Sequence, residues 1–165
     1  MTISRFVHFS VALNVFFLFG FNNPVNSQPA ADKKQSASVA QIATDIFRLV
    51  NAHRRALGLK PLEWNVTESS TATAHSSNMA SGKTAFGHDG FQQRIKSIAG
   101  RLGYVSASGE NVAYGQMGAK EVVDTWLHSP EHKKNIEGDY SLTGIGVAKG
   151  KKGMIYFTEI FTRQD

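Results

Sequence analysis

The stretch "TGIGVAKGKKGMIYFTEIF", Thr143 to Phe161, is where the sequence changes its period. Two runs rich in β-branched and aromatic residues flank the turn-forming "KGKKG", which predicts a β-hairpin. Within the second run, Glu159 shares an alternation face with Ile155, Phe157 and Phe161. A carboxylate on such a face is costly unless it is paired or hydrogen-bonded, so Glu159 is a candidate functional residue.

Upstream of the hairpin, apolar residues recur at helical spacing. Ile42, Ile46, Leu49, Val50 and His53 form one stripe, followed by Arg54-Arg55 and by Gly58 as a stop. Asn65 and Glu68 make an N-x-x-E cap for a second helix to about Ala80, with Ala72, His75 and Met79 on one side. A third helix follows Asp89 or Gly90 and carries Phe91, Ile95, Ile98 and Leu102 before Gly103 ends it. The glycine-rich "SGENVAYGQMG", Ser108 to Gly118, reads as a loop, and a fourth helix follows with Val122, Val123, Trp126 and Leu127. Helices first and an antiparallel sheet late define an α+β domain.

The ends and the composition narrow the function classes. Residues 1–27 have the layout of a secretory signal peptide: Arg5, the apolar run Val11 to Phe21, then "VNS". That run is shorter than the roughly 20 residues a spanning helix needs, so the mature protein is not expected to span a membrane. Residues 28–40 are polar and Ala/Ser-rich, an expected flexible linker, and the folded domain is expected over 41–165. The net charge of +5 becomes +4 once Arg5 is removed, and the basic pairs are scattered without any nucleic-acid motif. A solvated basic surface follows, and nucleic acid is excluded as a partner. The absence of cysteine excludes disulfides, thiolate metal sites, cysteine nucleophiles and a lipoprotein anchor. A secreted or periplasmic protein of bacterial type is the expectation.

"HSPEHKKN", His128 to Asn135, can be parsed as H-x-x-E-H, a zinc-peptidase pattern. That chemistry needs one uninterrupted helix carrying both rings on one face. Ser129-Pro130 instead reads as a helix start, which places His128 before the helix and His132 in its first turn. His132 remains a candidate, together with His88 in "FGHDGF" and Glu110 in "GENVAYG", each beside glycine or proline where the backbone turns. Two imidazoles and a carboxylate form a ligand set that zinc accepts, with a fourth position left open. Sequence order leaves open whether the three converge or serve separately, with His88 in a turn, Glu110 bonding loop N–H groups and His132 capping its helix.

The ordered set "NAHRRALGLKPLEWN", "AHSSNMA", "FGHDGF", "GENVAYG", "WLHSPEHKKNI", "GIGVAKG" and "YFTEIF" resembles the CAP superfamily of cysteine-rich secretory, antigen 5 and pathogenesis-related proteins, in its cysteine-free bacterial form. The likeness covers about Ile42 to Phe161. It implies a three-layer α-β-α sandwich with a central antiparallel sheet and a surface cavity of histidines and acids. His88, Glu110 and His132 fall on cavity positions and would hold a divalent cation such as zinc, with no organic cofactor. Ser129 stands where eukaryotic members have a second cavity acid. Glu131 adds negative charge beside His132 and is expected to favour its protonated form, and Glu159 lies where members often carry Gln or Glu. The resemblance implies an exported binding module, with a cation in the His/Glu cavity and a groove for an apolar ligand, a lipid or a protein partner. The alternative is a secreted metal-dependent hydrolase, a peptidase or esterase. The lack of G-x-S-x-G, of cysteine and of an H-E-x-x-H helix favours the non-catalytic reading.

Overall fold

A computed structural model describes residues 30–164, with the side chains of the first helix described from Val39 onward. The signal peptide expected over 1–27 lies outside the described residues. The chain runs α1 (Ala30–Ala56), β1 (Glu63–Trp64), α2 (Val66–Ser81), α3 (Phe91–Leu102), β2 (Ala107–Gly115), α4 (Ala119–His128), α5 (Pro130–Ile136), β3 (Leu142–Lys149) and β4 (Ile155–Arg163). The backbone of α1 is already helical through the polar stretch read as a linker. Ala, Lys and Gln are good helix formers, so a lack of large apolar groups removes the packing face without opposing the helix.

β3 and β4 form the expected hairpin, pairing Leu142 with Thr162 through Lys149 with Ile155. The sheet order is β1-β3-β4-β2, and it is mixed rather than wholly antiparallel, because the two-residue β1 runs parallel to β3. Glu63 N–H donates to Ser141 O and Asn65 N–H to Thr143 O at that edge. The segment read as a loop is a nine-residue strand, β2, antiparallel to β4 from Ala107–Arg163 to Gly115–Ile155. Its glycines mark close approaches rather than irregular backbone. A Cβ on Gly109 would stand 2.7 Å from Tyr140 Oη and 2.8 Å from Asn135 Oδ1, so glycine there lets α5 close over the edge of the sheet.

Successive β4 side chains point to opposite faces and divide the core. Phe157 and Phe161 pack with Ile46 and Val50 of α1 and Trp126 of α4. Ile160 packs with Ala72 of α2 and Ile98 of α3. Helices therefore cover both faces, the α-β-α arrangement. On β3, a Cβ at Gly144 would lie 2.1 Å from Ser69 N, and one at Gly146 2.1 Å from Ala72 C. α2 thus rests directly on the β3 backbone, tied there by Ser76 Oγ donating to Gly146 O at 2.9 Å.

Two buried carboxyl groups on opposite faces have raised pKa values. Glu68 of α2 accepts from Thr162 Oγ1, while Glu159 is fully buried on the other face and accepts from Thr143 Oγ1. Burial pushes Glu68 up to about 7 and Glu159 to about 8, against an ordinary 4.5. One oxygen of each lacks a partner, which costs less in a neutral acid than in a carboxylate. Because both values are raised, the folded chain holds protons that the unfolded chain releases above pH 4.5. Stability should therefore fall as pH rises toward 8. Melting curves from pH 5 to 9 should show Tm declining from pH 5 to about 8 and Glu159→Gln reducing that decline. An identical slope in the variant would show that Glu159 ionises freely.

Candidate functional site

The turn between α2 and α3 builds one wall of the site. Gly82 ends α2 with a φ of 76°, and Gly87 and Gly90 take φ values of 142° and 79°, conformations that side chains rarely adopt. These turns carry His88 back over β2, whose Glu110 points to the same face. His88 Nδ1 donates to Glu110 Oε1 at 2.9 Å. Arg94, in the first turns of α3, donates from Nε to Glu110 Oε2 at 2.8 Å and from Nη2 to Oε1 at 2.7 Å. Arg94 Nη1 also donates to Asp89 O at 2.8 Å, which fixes the fork against the start of its own helix. The Glu110 side chain is 1% exposed, whereas that of His88 is 52% exposed. Glu110 is thus a buried carboxylate whose charge is met by a bidentate guanidinium, a strong and directional pairing.

β2 is one of the two edge strands, and α5 packs against it. Asn135 Nδ2 donates to Glu110 O and Asn111 Oδ1, and Asn111 Nδ2 donates to His132 O at 3.1 Å. His132 approaches the cluster from there. Burial first, then the charge of nearby His88, lowers its pKa, and Glu131 opposes them only weakly. The expected net shift toward the protonated form is thus reversed, because the half-buried imidazole is desolvated while Glu131 stands exposed to solvent. His132 Nδ1 is buried without a hydrogen-bond partner. With Nδ1 of His88 donating to Glu110, Nε2 of His88 presents its lone pair outward.

Among the expected site residues, His88 and Glu110 touch, and His132 is near enough to His88 for their charges to interact. Glu159 does not join them. Glu110 pairs with Ile160 across the strands, so Glu159 falls on the opposite face, and its charged neighbours there are Arg54 and, through the sheet, Glu68. His128 precedes the Pro130 helix as expected, as the last residue of α4, exposed and donating from Nδ1 to Asp124 O. Glu110 accepts from side chains, not from the loop N–H groups expected of it. The residue missed in the sequence is Arg94. Its signal was a charge set between Phe91 and Ile95 on the apolar side of α3.

Zinc held by His88, Glu110 and His132 can be tested against this donor set. The imidazoles fit, since each offers a nitrogen free of hydrogen bonds. Glu110 does not, since both of its oxygens already accept from Arg94. Among the described residues, no three His, Asp or Glu side chains are grouped to hold a metal ion.

A slot of about 550 Å³ opens beside the cluster between α2 and α3. Ala74, His75 and Asn78 line one side, Gln93, Arg94 and Ser97 the other. His75 is buried, donates from Nε2 to Gly87 O, and has its pKa lowered mainly by burial, so it is a packed histidine that also borders the slot. Hydroxyl, amide and guanidinium groups thus stand beside methyl groups along the lining.

An α-β-α sandwich whose edge strand carries a buried glutamate held by a histidine and an arginine is the class of domain defined here. Residues 47–161 match the model of the CAP, or cysteine-rich secretory protein, family, and the chain belongs to it. It is 34% identical over 145 residues to YkwD of Bacillus subtilis (strain 168), covering 81% of this chain and 54% of that protein. It is 28% identical to the membrane protein YlbC of the same organism, over 85% of this chain and 40% of that one. The chain therefore spans only about half the length of these relatives. Among solved structures, an extracellular SCP-domain protein from Bacillus anthracis str. Ames matches with a TM-score of 0.68 and 26% identity, over 84% of this chain and 45% of that one. An outer surface protein from Borrelia burgdorferi shares the fold, with a TM-score of 0.64 at 22% identity, over 76% and 94% of the two chains.

Proposed function

We propose that this domain is an extracytoplasmic, non-catalytic binding module. The slot between α2 and α3 takes an elongated ligand, and the imidazoles of His88 and His132 take a divalent cation of the zinc class beside it. The observation that carries this reading is the slot itself. Its volume lies in the range of small-ligand sites, and Arg94, the partner of Glu110, lines it. The mixed lining favours an amphipathic ligand, such as a fatty acid, over a wholly apolar one. An outer surface protein and an extracellular protein among the similar structures support the location, and no described helix is long and apolar enough to cross a membrane.

The hydrolase reading draws its support from the His88–Glu110 pair, since a carboxylate that orients an imidazole is a known way to make a general base. Among the described residues, no serine or threonine hydroxyl bonds to that ring. Displacement of a fluorescent fatty acid should separate the readings. Ala74→Trp, which fills the slot, should weaken binding at least tenfold, while a peptide library stays uncut with zinc present. Equal binding by the variant would remove the slot as the ligand site. Cleavage that disappears in His88→Ala/His132→Ala would favour the hydrolase.

A further inference from the structure

We propose that Arg94 sets the cation affinity of the cavity by withholding Glu110 from it, the guanidinium standing where a metal's charge would otherwise meet the carboxylate. This rests on the reading that His88 and His132 face a divalent cation. It adds a residue that works against that cation.

The geometry buries Glu110 and holds both of its oxygens in one bidentate pair. Its Oε1 accepts from both His88 and Arg94, its Oε2 accepts from Arg94, and its side chain is 1% exposed. For Glu110 to turn toward a metal, the bidentate pair would have to open. The Arg94 side chain is itself only 13% exposed, and its remaining bonds go to the backbone carbonyls of Asp89 and His88. Among the described residues, no other carboxylate bonds to it. Breaking a buried pair by removing one partner is far more costly than the pair's net worth, because the remaining charge is stranded. Glu110 therefore acts on the cation from one bond further out, by fixing the tautomer of His88 so that Nε2 is the atom presented. The cavity offers two imidazoles where the residue types promise two imidazoles and a carboxylate. A two-nitrogen site is weak and easily vacated.

Zinc titration calorimetry at pH 7.5 tests this, with melting curves in chelator to confirm that each variant is folded. Arg94→Gln should bind zinc at least tenfold more tightly than the wild type, because it frees a carboxylate beside two neutral imidazoles. Arg94→Lys keeps the positive charge without spanning both oxygens, and should fall between them. Adding Glu110→Gln to Arg94→Gln should erase the gain. Affinity in folded Arg94→Gln no higher than in the wild type would overturn the proposal, and so would a gain that survives Glu110→Gln. The underlying reading fails separately. A wild type that binds no zinc, or binds it equally after His88→Ala/His132→Ala, refutes the two-imidazole site, whereas a Glu110-dependent gain in Arg94→Gln still supports the role of Arg94. If neither the wild type nor Arg94→Gln binds zinc, both fail.

Discussion

Gly146→Ala should destabilise the domain by about 3 kcal/mol or more, at the upper end of what overpacking a core costs. The added methyl would stand 2.1 Å from both Ala72 C and Thr73 N, atoms of the α2 backbone that cannot rotate away as a side chain can. α2 would have to lift off β3, and the bond from Ser76 to Gly146 O would stretch with it. Gly100→Ala is the matched control. Nothing lies within 4 Å of that Cβ, and the position is inside α3, where alanine is the better helix former by up to about 1 kcal/mol. Urea midpoints should drop sharply for the first variant and hold or rise for the second. Similar midpoints would mean that α2 has room to move and that the glycines of β3 do not set its distance.

Arg54→Ala should cost about 3 kcal/mol, because buried backbone carbonyls lose hydrogen bonds from a charged donor. Arg54 is 2% exposed, although in sequence it reads as half of a solvated basic pair. Its Nε donates to Lys60 O at 2.9 Å, and Nη1 donates to Ile136 O at 2.7 Å and Gly138 O at 2.8 Å. One guanidinium therefore closes the turn after α1 and caps the carbonyl end of α5, where a cation is also favoured by the helix dipole. Removing it strands buried acceptors and loosens the helix that carries His132, so cation binding should weaken along with stability. Arg54→Lys should rescue little, since an ammonium cannot reach acceptors in this forked arrangement. The exposed neighbour is the control: Arg55→Ala should change stability by no more than about 0.5 kcal/mol. Equal effects at the two positions would remove the capping role.

The pair of arginines shows what kind of information a sequence withholds. Both follow the stripe of α1 and both are chemically identical, yet one is core and one is surface. The difference comes from Ile136 and Gly138, more than eighty positions away, whose carbonyls accept from Arg54. Arg94 is a similar case. Its place on the apolar side of α3 was visible, but its partner Glu110 stood in a segment whose glycines resembled a loop.

Periodicity is a local property, and it sufficed wherever an element's own residues decide its state. The stripes of α1, α2 and α3, the Asn65 cap accepting from Glu68 N–H, the proline break between α4 and α5 and the β3–β4 hairpin were all legible in this way. The sequence likewise marked His88, Glu110 and His132 as residues of one family pattern. What only the tertiary structure decided is which groups satisfy one another. β2 became a strand because β4 offers it a complete ladder, and its glycines are needed because α5 closes on it. Glu159 went to the far face because strand alternation places it opposite Glu110, and Arg94 took both oxygens of Glu110. Each of these turns on the partner a buried polar group finds across the fold, and such partners are set by long-range packing that no local stretch of residues encodes.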